Sequence, residues 1–244
     1  MKLGQHFLID RDVTERIVRY SELKPDDRVL EIGPGEGDLT LALSAYVERI
    51  YAVEVDPDLA RNLCGRIPNV SVINADALTV ELPDYNKIVS NLPYQISSKI
   101  TYRLLSRPFE LAVLMFQREF SRRMQAKVGS KEYGRLAMVV GFFCEVEILE
   151  CVPKTAFRPV PKVNSSIVRL RPRKERPEVD AMTFMRLVEG LFRSRRKKVK
   201  KALAAMGVSK EMLATLEPST LEKRPEELTP DEAAVIAGAI SGLI

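Results

Sequence analysis

The sequence predicts an α/β fold in which a mostly parallel sheet is followed by a small, all-helical C-terminal domain. Between residues 28 and 117, short apolar runs that fit buried strands alternate with stretches of helical periodicity, which is the pattern of successive βαβ units. A glycine-rich turn follows the first apolar run, and from about residue 177 only helical patterns continue. We therefore expect one domain over residues 1–176 and a second over residues 177–244.

The individual elements follow from these patterns in chain order. Buried parallel strands are expected at residues 28–32, 50–54, 70–74, 87–90 and 110–116. Helices are expected at residues 10–20, 39–45, 96–105, 117–128 and 182–192, and after Asp56, which can cap the helix that Pro57 starts. The apolar runs at residues 136–144 and 167–170 are predicted to complete the sheet as an antiparallel edge pair.

The composition excludes several classes of protein. Hydrophobic residues make up 45% of the 244 residues, so the chain can bury a core and is not expected to be disordered. Its three cysteines, Cys64, Cys144 and Cys151, show no C-x-x-C spacing, and His6 is its single histidine. We expect no metal site, no disulfide framework and no histidine-based triad. Without a membrane-length apolar run or a secretory pattern, we expect a cytoplasmic protein. We also expect it to be a monomer.

Basic charge is concentrated in the second part of the chain. Residues 1–150 carry 19 Lys/Arg and 22 Asp/Glu, whereas residues 151–244 carry 19 and 11. Seven of the nine residues at 193–201 are basic. This distribution suits a polyanionic partner, although a basic surface that only keeps the protein soluble would give the same charge. The side chains expected to contact phosphates are Lys154, Arg158, Lys162, Arg195, Arg196, Lys197, Lys198, Lys200 and Lys201.

Four successive predicted strands end in residues that suit ligand binding. In open parallel sheets the ligand crevice lies beyond the carboxyl ends of the strands. Gly33 and Gly35 let the main chain approach a ligand, Glu54 has the spacing of a ribose-binding carboxylate, and Asp76 can accept from an adenine amino group. The fourth strand ends at Asn91. This ordered set is the layout of a Rossmann-like methyltransferase that uses S-adenosyl-L-methionine, whereas the E-x-G-x-G-x-G spacing disfavours a nicotinamide oxidoreductase.

The stretch Asn91-Leu92-Pro93-Tyr94 is the predicted methyl-acceptor corner. Pro93 fixes φ and removes a donor, so the turn can hold the Asn91 amide and the Tyr94 ring towards one cleft. An amide oxygen accepts from an NH2 group, and an aromatic ring stacks on a nucleobase. A second aromatic, Phe157, follows in a proline-rich loop among basic residues, and we expect its ring to face the same cleft.

The chain resembles the ribosomal RNA adenine N6,N6-dimethyltransferases that act on small-subunit rRNA. One departure is His6, where the bacterial pattern more often has Asn. The basic helical tail also fits that family. The matching stretches lie within residues 4–170 and are Gly4-Gln5-His6-Phe7-Leu8, Glu31-Ile32-Gly33-Pro34-Gly35-Glu36-Gly37, Val53-Glu54-Val55-Asp56, Asn74-Ala75-Asp76-Ala77, Asn91-Leu92-Pro93-Tyr94 and Phe157-Arg158-Pro159-Val160-Pro161-Lys162-Val163.

The resemblance implies an activity and a set of site residues. It implies transfer of methyl groups from S-adenosyl-L-methionine to N6 of two adjacent adenosines near the 3′ end of small-subunit rRNA, during ribosome biogenesis. The implied cofactor-binding residues are His6, Leu8, Gly33, Glu54, Asp76 and Asn91, to which the glycine-rich turn adds Gly35. The implied target-adenine residues are Asn91, Leu92, Tyr94 and Phe157.

Three alternatives share parts of this pattern. A DNA or protein amide methyltransferase uses an Asn-Pro-Pro-Tyr-like turn, but position 92 here is Leu. A large-subunit rRNA adenine methyltransferase would carry the same motifs and differ in its acceptor. A catalytically silent assembly or transcription factor of the same fold is disfavoured because Glu54, Asp76 and Asn91 are intact.

Overall fold

The computed structural model describes residues 6–241, which form two compact units. Of these residues, the first unit holds 6–121 and 146–172, and the second holds 122–145 and 173–241. This division differs from the boundary expected at residue 176, because residues 122–145 pack with the C-terminal helices.

The first unit contains the central sheet, and the predicted α/β fold class is confirmed. Its seven strands are β2 (Arg28–Ile32), β3 (Arg49–Glu54), β4 (Val70–Asn74), β5 (Lys87–Asn91), β6 (Leu111–Gln117), β7 (Cys144–Val152) and β9 (Ser165–Pro172). They lie in the order β4-β3-β2-β5-β6-β9-β7. In this order, the first five strands pair in parallel, and β9 pairs antiparallel with β6. A separate two-stranded ladder joins β1 (Phe7–Leu8) to β8 (Phe157–Arg158).

The helices of the first unit connect its strands, and most lie where the sequence predicts them. The Asp10 side chain caps the first of them through the Val13 N–H, and Asp56 caps the third. Their bounds are α1 (Arg11–Tyr20), α2 (Asp38–Ser44), α3 (Pro57–Leu63) and α4 (Ser97–Leu105), with α5 (Arg118–Met124) crossing into the second unit. Short 3-10 turns precede two elements, at Tyr94–Ile96 and Lys154–Ala156.

The parallel strands of the sheet are buried on both faces, because apolar side chains pack against each of them. Val29, Val89, Val113 and Ile167 contribute to one core cluster with the apolar face of α1. At the amino ends of the strands, the Lys87 ammonium lies 2.9 Å from the Asp27 carboxylate, and both side chains are at most 5% exposed. This buried ion pair ties the start of β5 to the loop before β2.

The prediction of a strand at residues 136–144 is wrong. Residues Arg135–Phe143 form helix α6, and the edge strand β7 begins only at Cys144. Nearly every α6 side chain is buried, and a short, uniformly apolar run does not distinguish a buried helix from a buried strand. Strand β7, in contrast, shows the alternation typical of a half-exposed strand, since Glu145 and Glu147 alternate with less exposed residues.

The second unit is a small helical assembly with an aromatic core. Phe142 and Phe184 stack with ring centroids 4.0 Å apart, and the Arg176 guanidinium lies over the Phe142 ring. Arg173 forms a two-pronged ion pair with Asp231 at 2.8 and 3.0 Å. Its helices are α6, α7 (Ala181–Arg193), α8 (Val199–Ala205), α9 (Lys210–Leu213), α10 (Pro218–Glu222) and α11 (Pro230–Ala239), with a 3-10 turn at Pro225–Glu227.

Across residues 6–241, no helix has both the length and the apolar character that crossing a bilayer requires.

Candidate active site

The edge of the sheet where the parallel strands end holds a cavity of about 290 Å³. Strands β2 to β5 run parallel, so the loops that follow them meet at this edge. Residues that the sequence predicts to share a site lie around this one cavity, although what they bind remains a prediction. They are His6, Leu8, Gly33, Gly35, Glu54, Asp76, Asn91, Leu92 and Tyr94.

The glycine-rich turn after β2 forms one wall and leaves no space for side chains. Gly33 and Gly35 adopt positive φ angles of 69° and 59°, which are costly for residues with a Cβ. A Cβ at Gly33 would lie 3.0 Å from Pro93, and one at Gly35 would lie 2.8 Å from the Phe7 ring. The turn therefore packs against both the predicted methyl-acceptor corner and the N-terminal segment.

Glu54 is held at the end of β3 by main-chain donors. Its two carboxylate oxygens accept from the Gly35 N–H at 3.2 Å and the Asp56 N–H at 2.9 Å. A carboxylate can accept about four hydrogen bonds, so Glu54 keeps capacity for a ligand although it is only 3% exposed. The same bonds link the glycine-rich turn to the start of α3.

Asp76 lies in the loop after β4, and α4 supports that loop. One Asp76 carboxylate oxygen accepts from the Leu78 N–H at 2.8 Å, while the side chain remains exposed. The Arg103 guanidinium donates to the main-chain carbonyls of Leu78 and Val80. Two carbonyls fixed by one guanidinium restrain the loop and hence the position of Asp76.

The corner at Asn91 presents an acceptor to the cavity. The Asn91 amide nitrogen donates to the main-chain carbonyl of His6 at 3.4 Å, which leaves the amide oxygen as the atom available to accept. Leu92 follows as a residue that is 1% exposed and that also lines the cavity. Ser90 holds the corner to the glycine-rich turn, because its hydroxyl donates to the Ile32 carbonyl at 2.6 Å.

Tyr94 continues the corner and is fixed through its hydroxyl. The Tyr94 and Ser165 hydroxyl oxygens lie 2.6 Å apart, which joins the cavity wall to the first residue of β9. Burial raises the pKa of the Tyr94 phenol, against the opposing effect of the Ser165 hydrogen bond, so Tyr94 is neutral at physiological pH. Its ring lies 5.8 Å from the His6 ring, centroid to centroid.

The N-terminal segment covers the site from the side of β8. Leu8 pairs with Phe157, and the Ile9 N–H donates to the Ala156 carbonyl at 2.9 Å. The His6 ring nitrogen Nδ1 donates to the Pro159 carbonyl at 2.7 Å. The first two residues of the predicted motif, at positions 4 and 5, lie outside the described residues.

The expectation that the Phe157 ring faces the cleft is wrong. Phe157 is 1% exposed and belongs to the core cluster with Leu8 and Val13. Pairing with β1 places its side chain beneath the N-terminal segment. Its basic neighbours suggested a stacking surface, but Lys154, Arg158 and Lys162 are exposed while the ring points into the protein.

Glu31 lines the cavity and was not predicted from the sequence. It is 1% exposed, and its Oε2 atom has no hydrogen-bond partner within residues 6–241. Burial raises the pKa of Glu31 to about 8; the nearby Thr40 hydroxyl opposes this rise and the Glu54 carboxylate adds to it. The signal available in the sequence was an acidic residue inside an otherwise apolar strand.

In the basic run at residues 193–201, only some of the side chains are available to contact a partner. The Arg195 guanidinium lies 2.7 Å from Glu226, and Lys198 and Lys200 both pair with Glu222. These two lysines lower the pKa of Glu222 to about 2. Within the described ranges, three side chains of the run are exposed and have no ion pair, namely Arg196, Lys197 and Lys201.

Comparison with known proteins gives the same family by sequence. A model of the family described as ribosomal RNA adenine dimethylase matches residues 1–237. A relative from Methanothermobacter thermautotrophicus, named a probable ribosomal RNA small subunit methyltransferase A, is 46% identical over 251 residues. The match covers 99% of this chain and 90% of that protein.

Two solved structures cover nearly the whole chain. A dimethyladenosine transferase from Plasmodium falciparum is 28% identical with a TM-score of 0.82, and the match covers 97% of this chain and 98% of the other. The 23S rRNA methyltransferase ErmE is 33% identical with a TM-score of 0.68, covering 96% and 98%.

Proposed function

Because the chain belongs to the ribosomal RNA adenine dimethylase family, we propose that it methylates N6 of two adjacent adenosines near the 3′ end of small-subunit rRNA. The observation that carries this proposal is the Asn91 corner, which offers an oriented amide oxygen at the wall of a cavity. Full-length relatives named as small-subunit methyltransferases support the choice of substrate. The proposed partner is the precursor of the small ribosomal subunit.

The donor set of the cavity fits S-adenosyl-L-methionine. Gly33 and Gly35 line the cavity with main chain alone, as close approach of a ligand to the main chain requires. Glu54 would accept from the ribose hydroxyls and Asp76 from the adenine amino group. His6 and Leu8 would cover the ligand from the N-terminal segment. The bound cofactor supplies an electrophilic methyl group on a sulfonium.

The corner would activate a weak nucleophile by orientation. The N6 amine of adenine is a poor nucleophile because its lone pair is delocalised into the ring. The Asn91 amide oxygen and the Leu92 carbonyl would accept its two N–H bonds, which favours a pyramidal nitrogen with its lone pair directed at the methyl group. The residues of the corner would thus contribute orientation and preorganised dipoles rather than a base, and water would take the proton that the methylated amine loses.

Base stacking is assigned to Tyr94 rather than to Phe157. The Ser165 contact fixes the Tyr94 ring in place, and stacking on an aromatic ring contributes roughly 1–3 kcal/mol. That gain is of the same order as the few kcal/mol needed to flip a nucleotide out of its stack. Phe157 would support the site from beneath, by packing against Leu8.

The acceptor can be tested directly. Small and large ribosomal subunits from cells that lack the modification would be incubated with the protein and isotopically labelled S-adenosyl-L-methionine. Mass spectrometry of the digested rRNA should find labelled dimethyladenosine in small-subunit rRNA. Label confined to large-subunit rRNA would instead assign the activity of the ErmE-like relatives, and RNA binding without label would indicate a silent assembly factor.

A further inference from the structure

Three segments of the first unit meet at Asn164. The Asn164 main-chain carbonyl accepts from the Arg118 N–H at 3.0 Å. Its side-chain oxygen Oδ1 accepts from the Lys154 N–H at 3.1 Å. One asparagine therefore fixes the start of α5, the 3-10 turn at Lys154–Ala156 and the end of the loop at residues 159–164 relative to one another.

This junction is one residue away from the contact that holds Tyr94. Ser165 follows Asn164, and its hydroxyl lies 2.6 Å from the Tyr94 hydroxyl. In the β6–β9 ladder, Ser165 is paired with Gln117, the last residue of β6. Because β6 runs parallel to β5, the junction lies at the same edge of the sheet as the cavity.

The side chains that leave this junction are basic and exposed. Arg118, Lys154 and Lys162 are all exposed, and within residues 6–241 none of them forms an ion pair. Glu119 is the single acidic residue in segments 117–124 and 152–166. A cluster of positive charge without internal counter-ions favours an external anion.

We propose that Arg118, Lys154 and Lys162 form a phosphate-binding rim for the RNA strand that flanks the flipped adenosine, and that Asn164 positions this rim relative to Tyr94. The inference rests on the proposed function, since it takes the target base to stack at Tyr94. Phosphate contacts set the register of a nucleic acid without reading its sequence. The Asn164 bonds would thus set which nucleotide of the strand reaches the corner.

The test measures binding of a small-subunit rRNA fragment as a function of salt concentration. Arg118→Ala and Lys162→Ala should each reduce the slope of log K against log salt by roughly 0.7–0.9, the value for one phosphate contact on single or double strands. Lys24→Ala is the matched control, because Lys24 is also exposed but precedes β2 at the opposite edge of the sheet. That variant should keep the wild-type slope.

Asn164→Ala tests the positioning role. It should raise the KM for RNA and reduce the salt slope, while kcat at saturating RNA and affinity for S-adenosyl-L-methionine stay within about twofold. An effect on thermal stability alone, with slope and KM unchanged, would reduce Asn164 to a structural residue. If this variant fails to fold, the Arg118 and Lys162 variants still test whether the rim binds phosphates.

These measurements distinguish a failure of the proposed rim from a failure of the proposed function. Wild-type slopes for Arg118→Ala and Lys162→Ala, with methyl transfer to small-subunit rRNA intact, would overturn the rim and leave the function standing. Reduced slopes in a protein that transfers no methyl group would support the rim and overturn the function.

Discussion

Glu31 is a buried carboxyl group whose ionisation depends strongly on its surroundings in the fold. Its pKa is raised to about 8 from an ordinary value of 4.5. Between these values the unfolded chain releases the Glu31 proton while the folded protein keeps it, so this contribution to stability is present at low pH and is lost as pH rises through about 8. We expect the unfolding free energy of the wild type to fall, relative to Glu31→Gln, by a few kcal/mol from pH 5 to pH 8.

Urea unfolding of both proteins at several pH values measures this difference. The Gln side chain has the same shape and does not titrate, so it controls for packing. Parallel pH profiles of the two proteins would show that Glu31 is ionised throughout, and that the buried oxygen has found a partner.

Gly35 allows a second test at the scale of one residue. Gly35→Ala places a methyl group 2.8 Å from the Phe7 ring and strains a backbone with φ of 59°. Gly65→Ala imposes similar strain, at φ of 75°, but meets nothing within 4 Å. We expect Gly65→Ala to lose about 1–2 kcal/mol of stability from strain, and Gly35→Ala to lose at least as much because the Phe7 ring must also shift. Gly35→Ala alone should weaken S-adenosyl-L-methionine binding, by about tenfold or more, in isothermal titration calorimetry.

An equal loss of cofactor affinity in both glycine variants would mean that strain acts through the whole unit. In that case the glycine-rich turn would not be a ligand-contacting wall.

The position of a residue after a strand was enough to predict which residues line the cavity, whereas the sequence missed what depends on side-chain direction. Gly33, Glu54, Asp76 and Asn91 could be placed because parallel strands end at one edge. The burial of Phe157 depends on a pairing with Leu8 across about 150 residues, which no local pattern reveals. The orphaned oxygen of Glu31 is likewise a property of the folded cavity.

At the scale of elements, the Lys87–Asp27 pair anchors β5 at the end of the strand opposite the cavity. Burial alone would raise the pKa of Asp27, but hydrogen bonds from Lys87, the Lys24 main chain and Asn86 outweigh it and hold the pKa below 3.8. The stabilisation from this pair is therefore present at neutral pH and is lost as pH falls through the folded-state pKa. Lys87→Met should cost roughly 3–5 kcal/mol, because it leaves a buried carboxylate unpaired.

Chemical unfolding measures this cost. The control is Arg61→Met, which breaks the Arg61–Asp58 pair, whose side chains are 75% and 81% exposed. That change should cost less than about 0.5 kcal/mol. Similar costs for both variants would contradict a specific role for the buried pair.

Elements could be predicted where periodicity is clear. Helix α1 and strands β2 to β6 have distinct apolar patterns, whereas α6 is apolar on nearly all sides. Its residues lie among other helices, so burial removes the polar face that would have marked it as a helix. Strand β7, in contrast, could be recognised after Cys144 because exposed and less exposed residues alternate there.

At the scale of the whole molecule, the basic side chains of the second unit that form no ion pair should strengthen RNA binding. Combined replacement of Arg196, Lys197 and Lys201 by Ala should flatten the salt dependence of rRNA binding by roughly 2–3 in log–log slope. Replacing Lys198 and Lys200 should change that slope less, because Glu222 already neutralises part of their charge. Filter binding across a salt series would measure both, and equal slopes in the two variants would contradict this division.

The central claim is that the Asn91 corner activates the amine of a flipped adenosine. The most direct measurement is transfer of a labelled methyl group to small-subunit rRNA by Asn91→Ala, with cofactor binding measured on the same preparation. We predict that turnover falls by about 100-fold or more, while S-adenosyl-L-methionine affinity stays within a few-fold of wild type. Turnover close to the wild-type rate, with the cofactor bound normally, would contradict the account.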